Sequence, residues 1–149
     1  MRRRIRREDS GLTYCGPIVD VELAIPETLR EILQSQGTPI PEPIRLSAII
    51  DTGASWCGVM EGIPASLGLE PIGTKPVRRG GNLRPASRAQ YAMRLSILDE
   101  LERPIFSEDV IFVENQVGGD EYKVLMGRDI LDGATFVYHG GRKIFRLQF

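Results

Sequence analysis

Residues 49–55 read Ile-Ile-Asp-Thr-Gly-Ala-Ser, so Asp51 leaves a β-branched apolar run and meets Thr52 and Gly53 at once. A carboxylate held at such a point can accept a proton from water or return one to a leaving group. Gly53 permits a close backbone approach, and the Thr52 hydroxyl can lock the turn. The same triplet also suits a simple Asx-turn with Asp as turn former, and alone it does not choose between the two readings. Other reactive side chains are sparse. Cys57 lies six residues beyond Asp51, and His139, the single histidine, sits in the glycine turn His139-Gly140-Gly141. A Ser-His or Cys-His enzyme would need that histidine; it reads as an exposed turn residue without a role, and Cys57 as packing. Trp56 reads as packing too, with a place in a specificity pocket as the alternative. No phosphate loop and no metal-ligand spacing is present, so neither a metal nor a cofactor is expected.

The elements that must position Asp51 are mostly strands. Pro17–Ala24, Ile44–Asp51, Glu108–Glu114 and Tyr122–Met126 read as strands, the last broken by Gly127. Pro26–Gln36 is the clearest helix: Pro26 suits its first turn, Glu27 its positive end, Leu29, Ile32 and Leu33 share a face, and Gly37 stops it. Pro64–Leu69 reads as a short helix or turn, and Arg128–Leu131 as one helical turn. Val77–Arg79 and Ala89–Leu98 flank a loop with Gly80-Gly81-Asn82, a candidate hairpin whose first arm Pro85 makes irregular. Thr135–Tyr138 and Lys143–Phe149 form a second hairpin around Gly140-Gly141.

Two blocks in this order, Asp-Thr-Gly-Ala-Ser at 51–55 and apolar-Gly-Arg-Asp-Ile-Leu at 124–131, together with the two hairpins, resemble the retropepsins, the single-lobe aspartic proteases. The resemblance runs from about Pro17 to Phe149 and implies a mainly β, closed barrel-like lobe with one short helix in its C-terminal half; the helix at 26–36 is an insertion. It implies that Asp51, Thr52 and Gly53 form the catalytic loop. Gly53, Ala54 and Ser55 would then meet substrate together with Gly80 and Gly81 at the tip of a flap. Gly127, Arg128 and Asp129 would support the loop from beneath. It further implies that Thr52 bonds to the loop of a partner subunit. Arg78, Arg79, Arg84 and Arg88 depart from a smooth apolar flap; they read as a solvated loop, with attraction of an acidic peptide as the alternative.

Peptide hydrolysis by carboxylates needs one to take a proton from water while another gives one to the carbonyl oxygen. Like charges that close cannot both ionise, so the pair shares a proton. The chain has no second Asp-Thr/Ser-Gly; Asp132-Gly133 lacks the hydroxyl residue. The expectation is therefore a homodimer in which two Asp51 carboxylates face each other, cutting a protein or peptide substrate without a metal. The alternative is a silent member of the same fold that dimerises or binds peptides. A sugar-kinase-like phosphate loop, which Asp-Thr-Gly-Ala-Ser could imitate, needs two large domains and is discounted at this length.

The 149 residues suit a single domain, expected over 11–149, preceded by a disordered basic arm at 1–10 that holds five arginines in its first seven positions. Setting those five aside leaves 14 basic against 20 acidic residues. That body is not a nucleic-acid-binding face. No apolar run follows the arginines and none approaches the ~20 residues of a membrane helix, so neither a nucleic-acid nor a membrane partner is expected, and the location is read as cytoplasmic. Cys15 and Cys57 are expected as buried free thiols.

Overall fold

Strict alternation builds the core. Ile18–Ala24 (β2) points Val19, Val21 and Leu23 inward, and Ile44–Ile50 (β3) buries Ala48 and Ile50. The computed structural model describes residues 4–8, 12–78, 84–115, 117 and 120–149. In chain order the remaining strands are β1 (Arg4–Glu8), β4 (Gly58–Met60), β5 (Gly73–Val77), β6 (Ala86–Leu98), β7 (Pro104–Asn115), β8 (Val124–Met126), β9 (Thr135–His139) and β10 (Ile144–Gln148). The helices are α1 (Leu12–Cys15), α2 (Glu27–Ser35), α3 (Ile63–Ser66) and α4 (Arg128–Leu131).

Seven strands run in the order β2-β3-β8-β4-β7-β6-β5, and β2 also pairs with β6. That extra pairing closes six of them into a barrel, which leaves β5 hydrogen-bonded to β6 alone. Its filling includes Leu23, Met93, Leu95, Ile97, Phe112 and Met126. The mainly β closed lobe expected from the sequence is therefore what forms, with α4 as the short helix of the C-terminal half. The inserted helix is one residue shorter at each end than expected. It lies outside the barrel with none of its residues buried, although Leu29 and Leu33 pack against the core. Its first amide, Glu27 N–H, donates to Asp109 Oδ2 at 3.2 Å, and Arg94 binds Asp109 Oδ1 at the same distance. A sheet carboxylate thus does the capping that Pro26 cannot.

The second sheet is β1-β10-β9. Here the expectation of a disordered arm over residues 1–10 meets a different outcome, because Arg4–Glu8 pairs antiparallel with β10, Arg4 opposite Gln148 and Glu8 opposite Ile144. The open edge of β10 offers backbone donors and acceptors to any extended segment, whatever its side-chain charge.

The β6–β7 hairpin turns on Asp99, which is 8% exposed. Its Oδ1 accepts from the amides of Leu101 and Arg103, and Oδ2 receives the Arg103 guanidinium at 2.8 Å. The Arg103 side chain, then these amides, hold the Asp99 carboxyl below its usual value of 3.8. A depressed carboxylate stabilises the fold above its unfolded value and loses that contribution as pH falls through the folded one. Asp99→Asn is therefore expected to lower the urea midpoint at neutral pH, with the gap to wild type closing in acid below that value. An unchanged gap would show that the charge is not what the turn uses.

Candidate active site

The strand order dictates where Asp51 goes. β8 lies between β3 and β4, parallel to the first and antiparallel to the second. The connection from β3 to β4, residues 51–57, must therefore cross the C-terminal end of β8. The chain leaving β8 turns directly beneath it as Gly127 and α4. Five of the crossing residues, Asp51, Thr52, Ala54, Ser55 and Cys57, are tied to the end of β8 or to that turn. Asp51 N–H donates to the Met126 carbonyl at 3.0 Å, and Arg128 N–H to the Ala54 carbonyl at 2.9 Å. The Arg128 guanidinium forks to the Thr52 carbonyl at 2.7 Å and Ser55 Oγ at 2.9 Å. Asp129 Oδ2 accepts Cys57 N–H at 2.9 Å, and its Oδ1 lies 3.2 Å from Cys57 Sγ.

Asp51 itself is half-buried, and its Oδ1 accepts Gly53 N–H at 2.8 Å. A β-carbon at 53 would lie 3.0 Å from that oxygen, so a side chain there would press on the carboxylate. The Asx-turn is thus real, and it also orients the carboxylate. Asp51, Gly53, Ala54 and Ser55 line a cleft of about 610 Å³, whose other walls include Trp56, Pro76, Val77, Arg78, Val113 and Leu125. Thr52 is exposed, held through its carbonyl. Gly80 and Gly81 lie outside the described residues.

Gly127, Arg128 and Asp129 sit together under the loop. Asp129→Ala would strand the Cys57 amide and thiol in a buried position. It is expected to cost roughly 1–3 kcal/mol by chemical denaturation, while a wild-type midpoint would rule out this bond as a support.

Cys57 was legible only as packing; both its N–H and its thiol turn out to engage Asp129. Burial first, and then the nearby Asp129 carboxylate, push that thiol far up, so it stays protonated and is no nucleophile. Cys15 is half-buried rather than buried, and both cysteines are free thiols. His139 is exposed in its turn, with Nδ1 accepting Arg142 N–H at 3.2 Å. Trp56 is 51% exposed, with Lys75 Nζ 3.0 Å from the centroid of its ring. Nothing in the sequence linked those two residues, because β5 reaches the loop only through the folded sheet. Among the described residues, no group of three or more His, Cys, Asp or Glu is gathered as for a metal ion, and no helix is long and apolar enough to cross a membrane.

No family model matches the chain. No curated protein matches it either. Among solved structures, the chain is similar to the crystal structure of a retropepsin-like aspartic protease from Rickettsia conorii, with a TM-score of 0.49 and 12% identity over 100% of this chain and 96% of that one.

Proposed function

We propose that residues 11–149 form a retropepsin-like aspartic endopeptidase that works as a homodimer, with Asp51 of each copy supplying one carboxylate. The observation that carries this reading is the placement of Asp51 on an open cleft by a loop fixed to β8 and α4 from below. Such fixation limits the reorganisation that a reacting group must undergo. Chemistry supplies the second copy. The ionised carboxylate takes a proton from water as the water oxygen bonds to the peptide carbonyl carbon. The protonated carboxylate gives its proton to the carbonyl oxygen. As the C–N bond breaks, the first carboxylate passes the proton it took from water to the departing amine, and a hydroxyl of the diol returns its proton to the second carboxylate, leaving a carboxylic acid and restoring the pair. One carboxylate cannot hold both states at once, so a lone chain lacks half the site. Thr52 serves the pairing of the two loops, and Gly53, Ala54 and Ser55 meet the substrate backbone.

The test combines sedimentation with cleavage of an unfolded polypeptide over a dilution series of the full chain. Specific activity should fall as the dimer dissociates, because the site is completed only by association. A dimer that cleaves nothing from acid to neutral pH would instead mark the silent, peptide-binding form of the fold. Activity that is constant down to a fully monomeric sample would end the shared-site reading.

A further inference from the structure

The charge of the chain is distributed unevenly along its sequence. Residues 71–93 contain Lys75, Arg78, Arg79, Arg84 and Arg88 and none of the 20 acidic residues. Among the described residues of the cleft wall, two side chains carry charge, Asp51 on the loop and Arg78 just beyond the end of β5. Lys75, from the same strand, is already placed over the Trp56 ring, a cation–π contact that satisfies it. Arg78 has no such partner. Its side chain is exposed, and it makes no hydrogen bond or ion pair among the described residues. The same wall is mixed: Val77, Val113 and Leu125 supply apolar surface, and Ser55, Asn115 and Tyr122 supply uncharged polar groups. A guanidinium on a wall with no second cation among its described residues is a fork for a carboxylate, and Val77, Val113 and Leu125 offer surface to the methylenes that carry it. It is also the reverse of what a purely apolar peptide would select.

We infer that the cleft selects an extended peptide bearing a Glu or Asp side chain, whose carboxylate Arg78 holds while the neighbouring backbone lies across Asp51. This deepens the protease reading and rests on it for the meaning of the Asp51 end, yet the recognition can be measured without cleavage.

The full chain carrying Asp51→Asn is titrated with two fluorescent peptides that are identical except for one Glu replaced by Gln. Anisotropy is read at low and at moderate salt. The Glu peptide is expected to bind about tenfold tighter at low salt, with the margin shrinking as salt rises, since a partly exposed pair is screened. Adding Arg78→Gln should remove the margin, so that the Glu and Gln peptides bind that variant alike. Equal binding of the two peptides, binding of neither, or a margin that survives Arg78→Gln overturns the inference. Absence of cleavage by the wild-type chain overturns the protease reading alone, because the binding margin is measured in a chain that does not need to cut.

Discussion

Asp51→Asn is expected to lower peptide-bond cleavage by roughly 10⁴-fold, since neither copy then offers a group able to take or give the proton. The amide oxygen can still accept Gly53 N–H, as Asp51 Oδ1 does at 2.8 Å. The loop therefore keeps its turn, and stability should change by no more than about 1 kcal/mol, the difference between a charged and a neutral bond. The informative version mixes chains. When subunits exchange freely, a wild-type chain is active only if it meets another wild-type chain. Activity per wild-type chain should then fall to about half at equal amounts and to about one tenth under a roughly ninefold excess of Asp51→Asn. Activity indifferent to the added variant would mean that the site is complete within one chain. It would remove the homodimer while leaving the cleft intact.

How far the sequence foretold this molecule depends on how local the cause is. β2 and β3 were legible because burial alternates residue by residue, and α2 because Leu29, Ile32 and Leu33 repeat at helical spacing. α4 was readable from Gly127-Arg128-Asp129, and its bounds agree with those expected. β4 was missed: three residues, Gly58–Met60, carry no period, and they are a strand only because β7 and β8 lie on either side. β1 was missed for the opposite reason, since its arginines argue against burial while its pairing depends on the far end of the chain. β5 begins at Gly73, earlier than its sequence suggests, because Pro76 masks a strand that bonds to β6 alone.

The candidate site divides in the same way. Asp51 and its triplet stand in one stretch of sequence, so their presentation could be inferred from the strand that ends there. What braces them could not be derived from the residues themselves. Arg128 reaches Thr52 and Ser55 from the turn that follows β8, more than 70 residues further along the chain, and Asp129 reaches Cys57 from the same turn. Those bonds exist only because β8 is inserted between β3 and β4, an arrangement that the spacing of residues does not specify.

The position where that arrangement is most demanding is Gly127, and Gly127→Ala is expected to be the most damaging small change in the fold. The reason is room rather than conformation: the backbone there is extended, φ −89° and ψ −176°, which any residue adopts. A β-carbon would sit 2.6 Å from the carbonyl carbon and oxygen of Trp56 and 2.8 Å from its nitrogen. All three are backbone atoms, so no side chain can swing aside. The crossing loop must lift or β8 must drop, and either movement strains the bonds that Asp51, Ala54 and Cys57 make to Met126, Arg128 and Asp129. Overpacking of this kind costs about 3 kcal/mol, the upper end of the usual range, because rigid backbone is what must yield. For a chain of this length that is a fall of roughly 6–12 °C in Tm. Gly133→Ala is the control: its nearest neighbour would be the Ile130 carbonyl oxygen at 4.0 Å, an ordinary contact, and its Tm should stay near wild type. The two substitutions at the site then separate by what they remove. Asp51→Asn loses cleavage with the fold intact, whereas Gly127→Ala loses stability and cleavage together, because the support that Trp56 rests on is the same one that aims Asp51. If Gly127→Ala melts with wild type, the loop does not rest on β8 as tightly as these distances require.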